Sequence, residues 1–308
     1  MHIEDFKDKP NLKFGLEGIA SDFILTEEIH EVLIASFYLD GPIEKQFDLL
    51  SARAFVRFQE DYKTELGEEQ QYEYLGVQTA IKLIELRAET VASFKDPVIP
   101  GNDPAGKIYQ YMKQKNYRFF TGPNEYNIVY LEGINQDFSE NSDAPNCFND
   151  LRVVLAVEEG TPVIVGQWEA TTEPGFHYTD YPMNAKGAAR IAFDQYRAWQ
   201  VGIHGNSEPH EALVQIAGEV TVHRDFDRTM TRTHDRLDSG YFGINQHHGY
   251  DHPHNDIYTA SAGCLVGRTR RGHREFMSII KQDRRYRNNP NYVFYSTVIA
   301  GDDWKKTV

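Results

Sequence analysis

Gly243-Ile244-Asn245-Gln246-His247-His248-Gly249, followed further along by Ser261-Ala262-Gly263-Cys264, is the part of the chain on which fold and chemistry turn. The first run reads as a short strand ending in two histidines. The second is a turn of small residues ending in a thiol. Sixteen residues lie between His247 and Cys264, enough for a strand to leave, a loop to cross a cleft and the chain to return. A nucleophile and its base brought together in this way need not be close in sequence.

A cysteine attacks as the thiolate, and an ordinary thiol, with a pKa of about 8.5, is only slightly ionised at neutral pH. A neighbouring imidazole takes the thiol proton, holds the thiolate as an ion pair and returns the proton to a leaving amine. His247 and His248 are both candidates for this role, and on an alternating strand they face opposite sides, so only one points at Cys264. Gly263 and Ala262 lack bulk, which lets a carbonyl approach the backbone and use N–H groups near Cys264 as an oxyanion hole. Ser261 is placed to donate to the imidazole or to the substrate. Cys147 and Cys264 are the only cysteines, so no disulfide framework is available. Cys147 reads as a small hydrophobe.

These residues resemble the signature of the L,D-transpeptidase (YkuD-type) family, in which an apolar strand ending in His-Gly precedes Ser-His-Gly-Cys-x-Arg. Ile244 to Gly249 and Ser261 to Cys264 carry the likeness. Ala262 stands where the family has histidine and Val266 where it has arginine, with Arg268 the nearest substitute. Tyr181 to Gly187 and Tyr241 to Asn245 extend the resemblance to phage-encoded proteins with a Ser-Ala-Gly-Cys site, over roughly residues 105 to 300. Their Gly-Ile-Asn-x-His pattern selects His247 as base, whereas the His-Gly of the wider family selects His248. The resemblance implies a β-sandwich and a thioacyl-enzyme formed on a peptidoglycan stem peptide, resolved by water or by an amine. It assigns the substrate carboxylate to Arg268 and calls for no cofactor. Thr171-Thr172-Glu173-Pro174-Gly175-Phe176 resembles the turn that precedes the substrate strand in such enzymes.

A chain of 308 residues, 40% of them hydrophobic, can bury a substantial core. A formal net charge of −14 argues against a general nucleic-acid binder, which needs clustered lysine and arginine. No apolar run approaches the ~20 residues of a membrane span. Met1 to Asp8 has neither the basic start nor the apolar centre of a secretory signal. The expectation is a protein made in the cytoplasm that reaches the cell wall by lysis, through a holin or by injection.

Residues 26 to 95 read as helical. Leu50, Ala54, Phe58 and Tyr62 recur every four residues with Ser51 as the cap, and a second helix from Val77 to Ser93 places Ile81, Ile84 and Ala88 on one face. Ala54 to Gln59 and Gly76 to Leu83 resemble peptidoglycan-binding modules of the three-helix type, with an acidic insertion at Glu65 to Glu69 between them. Lys95 to Pro104, with three prolines and a glycine, reads as a linker. The expected class is α+β: a helical domain over residues 1–100, then a β-rich catalytic domain over 101–308. Strands are expected at Asn127–Leu131, Leu151–Val157, Thr161–Val165, Glu219–Val222 and Tyr292–Ile299, with helices at Gly106–Asn116 and Gly272–Tyr286.

Two other functions compete. His247, His248, Asp251, His252, His254 and Asp256 crowd into ten residues, and imidazole with carboxylate is a zinc set, which makes a zinc-dependent peptidoglycan hydrolase the second enzyme reading. The third is a non-catalytic structural protein of a phage or injection particle that has kept the fold after losing the usual histidine and arginine.

Overall fold

A computed structural model describes residues 1–36, 38–39, 46–67, 72–93 and 98–307. It mixes helices with a large sheet in an α+β arrangement, and the chain divides into two compact units, Met1–Pro97 and Val98–Val308. Glu68 and Glu69 of the acidic insertion and Lys95 to Pro97 of the proline-rich stretch lie outside the described residues. Among the described residues no helix is long and apolar enough to cross a membrane.

The first unit holds α1 (Leu16–Ala20), α2 (Phe23–Ala35), α3 (Leu49–Asp61), α4 (Lys63–Leu66) and α5 (Val77–Ser93), with a small pair of strands, β1 (Phe14–Gly15) and β2 (Tyr74–Leu75). Asp48, not Ser51, caps α3. Its carboxylate accepts from Ser51 N at 2.8 Å and from Ser51 Oγ at 2.9 Å. A carboxylate answers both the orphan N–H groups and the positive end of the helix dipole, so it takes the cap and leaves Ser51 inside, against His30 Nε2 at 2.8 Å. The buried face is correspondingly rotated: Leu50 is exposed, while Ala54, Phe55 and Phe58 are buried. On α5, Ala80 and Leu83 enter the core and Ile81 and Ile84 are half-buried. Of the residues resembling a peptidoglycan-binding module, Ala54, Phe55, Phe58, Gln59, Thr79, Ala80 and Leu83 are buried, whereas Gln78 is exposed. Gln59 donates to Tyr74 O at 2.8 Å and Thr79 Oγ1 at 3.2 Å and accepts from Glu73 N at 3.0 Å, tying α3 to the β2–α5 junction.

The second unit begins with α6 (Pro104–Gln114), capped by Asp103, whose carboxylate accepts from Gly106 N at 2.8 Å. Its strands are β3 (Asn127–Glu132), β4 (Asp150–Glu158), β5 (Thr161–Thr171), β6 (Ala188–Ile191), β7 (Asp194–His204), β8 (His210–Gln215), β9 (Val220–Asp225), β10 (Arg236–Gly240), β11 (Gln246–His248), β12 (Leu265–Gly267) and β13 (Phe294–Ala300). Between them lie α7 (Phe176–Asp180), α8 (Arg270–Ile280) and α9 (Arg284–Asn288), and α10 (Gly301–Thr307) follows β13. One helix was expected over Gly272–Tyr286. The chain instead stops and restarts at Asp283, whose carboxylate accepts from Arg285 N at 2.9 Å as the cap of α9.

The expected β-sandwich is corrected: β11-β12-β5-β4-β3-β13-β7-β8 close into a barrel, and β6, β9 and β10 form a separate three-stranded sheet. Register irregularities at Val154/Leu155 and at Phe294/Tyr295 supply local bends, and the short β11 completes the circle by pairing with β8 through Gln246 and Leu213. One face of β3, β4 and β13 contributes Val129, Leu131, Leu151, Val153, Leu155 and Ile299 to a core with Ile108 and Met112 of α6 and Trp304 of α10. Alternate residues turn to the barrel interior. There Tyr130 OH donates to Gln246 Oε1 at 3.2 Å and Gln246 Nε2 to Ser296 Oγ at 2.7 Å, joining strands that are not sheet neighbours.

Ion pairs hold the small sheet against the barrel. Arg190 of β6 pairs with Glu173, just beyond β5, and Arg232, between β9 and β10, pairs with Glu132 of β3. Thr172 adds N–H and hydroxyl donation to Asp150 at 2.7 and 2.9 Å. Thr171 to Gly175 thus works as a buried anchor, with Phe176 exposed beyond it, because its polar groups face the acidic ends of β3 and β4.

Candidate active site

β11 and β12 run parallel, with Gln246 opposite Leu265 and His248 opposite Gly267. Leu265 N donates to Asn245 O at 2.9 Å, which sets Cys264 beside Asn245 at the entrance to both strands. The segment before β11 is fixed by buried Gln215: its Oε1 accepts from Phe242 N at 3.2 Å and Ile244 N at 2.9 Å, and its Nε2 donates to Gly240 O at 2.9 Å. Trp199 Nε1 donates to Ile244 O at 2.7 Å. The segment before β12 is held as firmly. Asn146 Oδ1 accepts from Tyr258 N at 2.9 Å and Phe176 N at 3.0 Å, and Gly175 N donates to Ser261 O at 3.0 Å.

Cys264 and His247 line one cavity of about 740 Å³, together with His204, Tyr250, Ala262 and Arg224. The thiol donates to Gly243 O at 3.5 Å and its sulfur accepts from Asn245 N at 3.4 Å. Burial pushes the Cys264 thiol up to about 11, against a smaller lowering by the Asn245 N–H. His247 Nδ1 donates to His248 O at 2.8 Å, which leaves the Nε2 lone pair free to accept a proton. Burial, and then the His204 ring stacked on it at 4.0 Å, hold His247 well below the ordinary histidine range. Burial thus disfavours the charged form of each group, which runs against a preformed thiolate–imidazolium pair.

His248 belongs elsewhere. It faces a second cavity of about 490 Å³ with His210, His273 and Glu208, stacks on His210 at 3.6 Å and lies 3.6 Å from a Glu208 carboxylate oxygen. Burial lowers it to about 4.

Ser261 and Gly263 shape the turn. Ser261 Oγ accepts from Gly263 N at 3.1 Å and donates to Cys264 O at 3.1 Å, so its hydroxyl is aimed at the backbone and neither at an imidazole nor into the cleft. Gly263 has φ +118°, and a Cβ there would lie 2.3 Å from Ala189 O. Only glycine fits. Its N–H, bonded to Ser261, does not serve an oxyanion. The Cys264 N–H takes no hydrogen bond among the described residues. Arg268, the expected carboxylate ligand, is held by Glu169 at 2.5 Å and His252 O at 3.3 Å and does not line the Cys264 cavity.

The histidine-rich run does not converge on a metal. Asp251 pairs with Arg270, His254 with Glu169, and Asp256 accepts from Asn146 Nδ2. Among the described residues, the triads with converging ligand atoms are His2-Glu4-Glu28 and Asp225-Asp227-Asp235, neither of which includes this run. Cys147 and Cys264 are both free thiols, and burial raises Cys147. The sequence reading missed His204, Asn245, Gln215 and Arg224. Gly-Ile-Asn signalled Asn245, whereas the other three reach the site from β7, β8 and β9, with no local pattern to mark them.

No family model matches the chain, and no curated protein does. Among solved structures, the L,D-transpeptidase (residues 123–326) from Xylanimonas cellulosilytica is similar at 14% identity, over 89% of this chain and 92% of that one, with a TM-score of 0.25.

Proposed function

We propose that the protein is a cysteine acyltransferase or peptidase acting on peptidoglycan stem peptides. The observation that supports this most is the shared cavity, with a thiol and an imidazole whose free Nε2 is set by the Nδ1 bond to His248 O. Because burial disfavours a charge on either group, the Cys264 proton moves to His247 Nε2 as the sulfur attacks the amide carbonyl. The Cys264 N–H receives the developing oxyanion. The tetrahedral intermediate collapses with cleavage of the C–N bond, and His247 returns the proton to the departing amine, leaving a thioester on Cys264. Water or a second amine then attacks that thioester, with His247 again taking the proton.

The raised thiol favours a second reading, a non-catalytic particle protein that has kept the cleft. One experiment separates them: purified sacculi are incubated with wild type and with Cys264→Ala, and released muropeptides are compared by mass. The enzyme produces new or shortened muropeptides that the variant does not. Identical profiles support the non-catalytic reading. In the enzyme reading the first unit supplies affinity for the wall, and delivery depends on lysis, a holin or injection.

A further inference from the structure

Arg224 is the one lysine or arginine lining the Cys264 cavity among the described residues, and no aspartate or glutamate lines it. In a chain with a formal net charge of −14, a cavity free of carboxylates is an electrostatic exception. The side chain comes from β9, in the three-stranded sheet that walls the cleft, and only 5% of the residue is exposed. Its Nε donates to Asp238 at 3.0 Å and its guanidinium lies 4.4 Å from the centre of the Phe242 ring. Nη2 is buried with no hydrogen-bond partner.

The fork also shares its counter-ion. Asp238 also receives Lys186 Nζ at 2.8 Å, so two cations share one carboxylate. A buried guanidinium with an unanswered N–H is costly to leave empty, and an anion with two oxygens answers both its charge and its geometry. Asp227 and Asp235 line a second cavity that Arg224 also borders, and neither lines the one holding Cys264.

We propose that Arg224 is the specificity residue that binds a substrate carboxylate within the Cys264 cleft, whose lining does not include Arg268. This rests on the reading of that cleft as the reacting site. It places the carboxylate against the small sheet, so the acyl group on Cys264 and the charged end of the ligand contact different layers of the fold.

The test uses full-length Cys264→Ala, which cannot react, titrated by calorimetry with a D-alanine-terminated stem tetrapeptide as the free acid and as its C-terminal amide. The acid should bind about tenfold or more tightly than the amide, the scale of one charge-assisted hydrogen bond. Adding Arg224→Gln should remove that preference and leave amide binding unchanged. Arg224→Lys keeps the charge without the fork and should retain part of the preference, which also covers loss of folding in the glutamine variant.

Equal binding of acid and amide, or a preference that survives Arg224→Gln, overturns the role of Arg224 while leaving the stem-peptide reading intact. If neither peptide binds, the stem-peptide reading falls and a second arm reads Arg224 alone. Proteins retaining Cys264 are alkylated with iodoacetate and iodoacetamide at about pH 9, where more of the thiol is ionised. The sulfur–carbon bond forms and iodide leaves in both reactions. The acid-to-amide rate ratio should fall several-fold in Arg224→Gln, and an unchanged ratio overturns the proposal.

Discussion

His247 and His248 are neighbours on a three-residue strand, yet they serve two different chemical environments. His247 shares a carboxylate-free cavity with a thiol and one arginine. His248 shares its cavity with Glu208, Glu211 and two more histidines. Alternation along β11 is the whole cause, since successive side chains leave opposite faces of a sheet. The parallel register with β12 then decides which face has the Cys264 thiol.

The largest expected effect is Cys264→Ala, which should abolish every change in muropeptide profile, because Cys264 is the one thiol lining the His247 cavity among the described residues. His247→Ala should reduce turnover by about 100-fold or more, the usual contribution of a positioned base, while His248→Ala should stay within about threefold. Steady-state rates on sacculi measure both. Equal losses would break the distinction between the two faces.

Proton affinity sharpens the same contrast. With the thiol pushed up to about 11, alkylation of Cys264 in the free protein should rise about tenfold per pH unit between pH 7 and 10, tracking the thiolate fraction. A preformed ion pair would give a plateau near neutral pH instead, so a flat profile would return the site to the thiolate–imidazolium picture.

Smaller effects probe the turn. Gly263→Ala should lower stability by about 2 kcal/mol or more, since it combines a positive φ with a collision against Ala189 O. Ser261→Ala should cost about 1 kcal/mol through the lost turn bonds and leave turnover within a few-fold. Chemical denaturation measures both. A large activity loss in stable Ser261→Ala would assign the hydroxyl to catalysis after all.

The chain announced these features unevenly. β3, β4 and β13 were legible because their β-branched and aromatic runs are buried on both faces, and the ends of α5 were legible from a long helical pattern with few breaks. Closure of the barrel was not. It depends on single-residue bulges and on the one pairing of Gln246 with Leu213, neither of which alters local composition. Within the site, Cys264 and His247 stood out because a small-residue turn and a Gly-Ile-Asn strand are local signals. Where Arg268 sits was not legible, because nearness in sequence to Cys264 says nothing about Glu169, which reaches it from β5. Arg224 was hidden for the converse reason: it lies forty residues from Cys264 in sequence and joins it only through the packing of the small sheet on the barrel.

The central claim is that Cys264 forms a covalent acyl intermediate with His247 as its base. It is tested most directly by intact-protein mass spectrometry after brief mixing with a stem tetrapeptide and acid quenching. The account predicts a mass increase equal to the tetrapeptide minus its departing amine, mapped to Cys264, absent in Cys264→Ala, strongly reduced in His247→Ala and retained in His248→Ala. No adduct on the wild-type protein, with sacculi likewise unchanged, would contradict it.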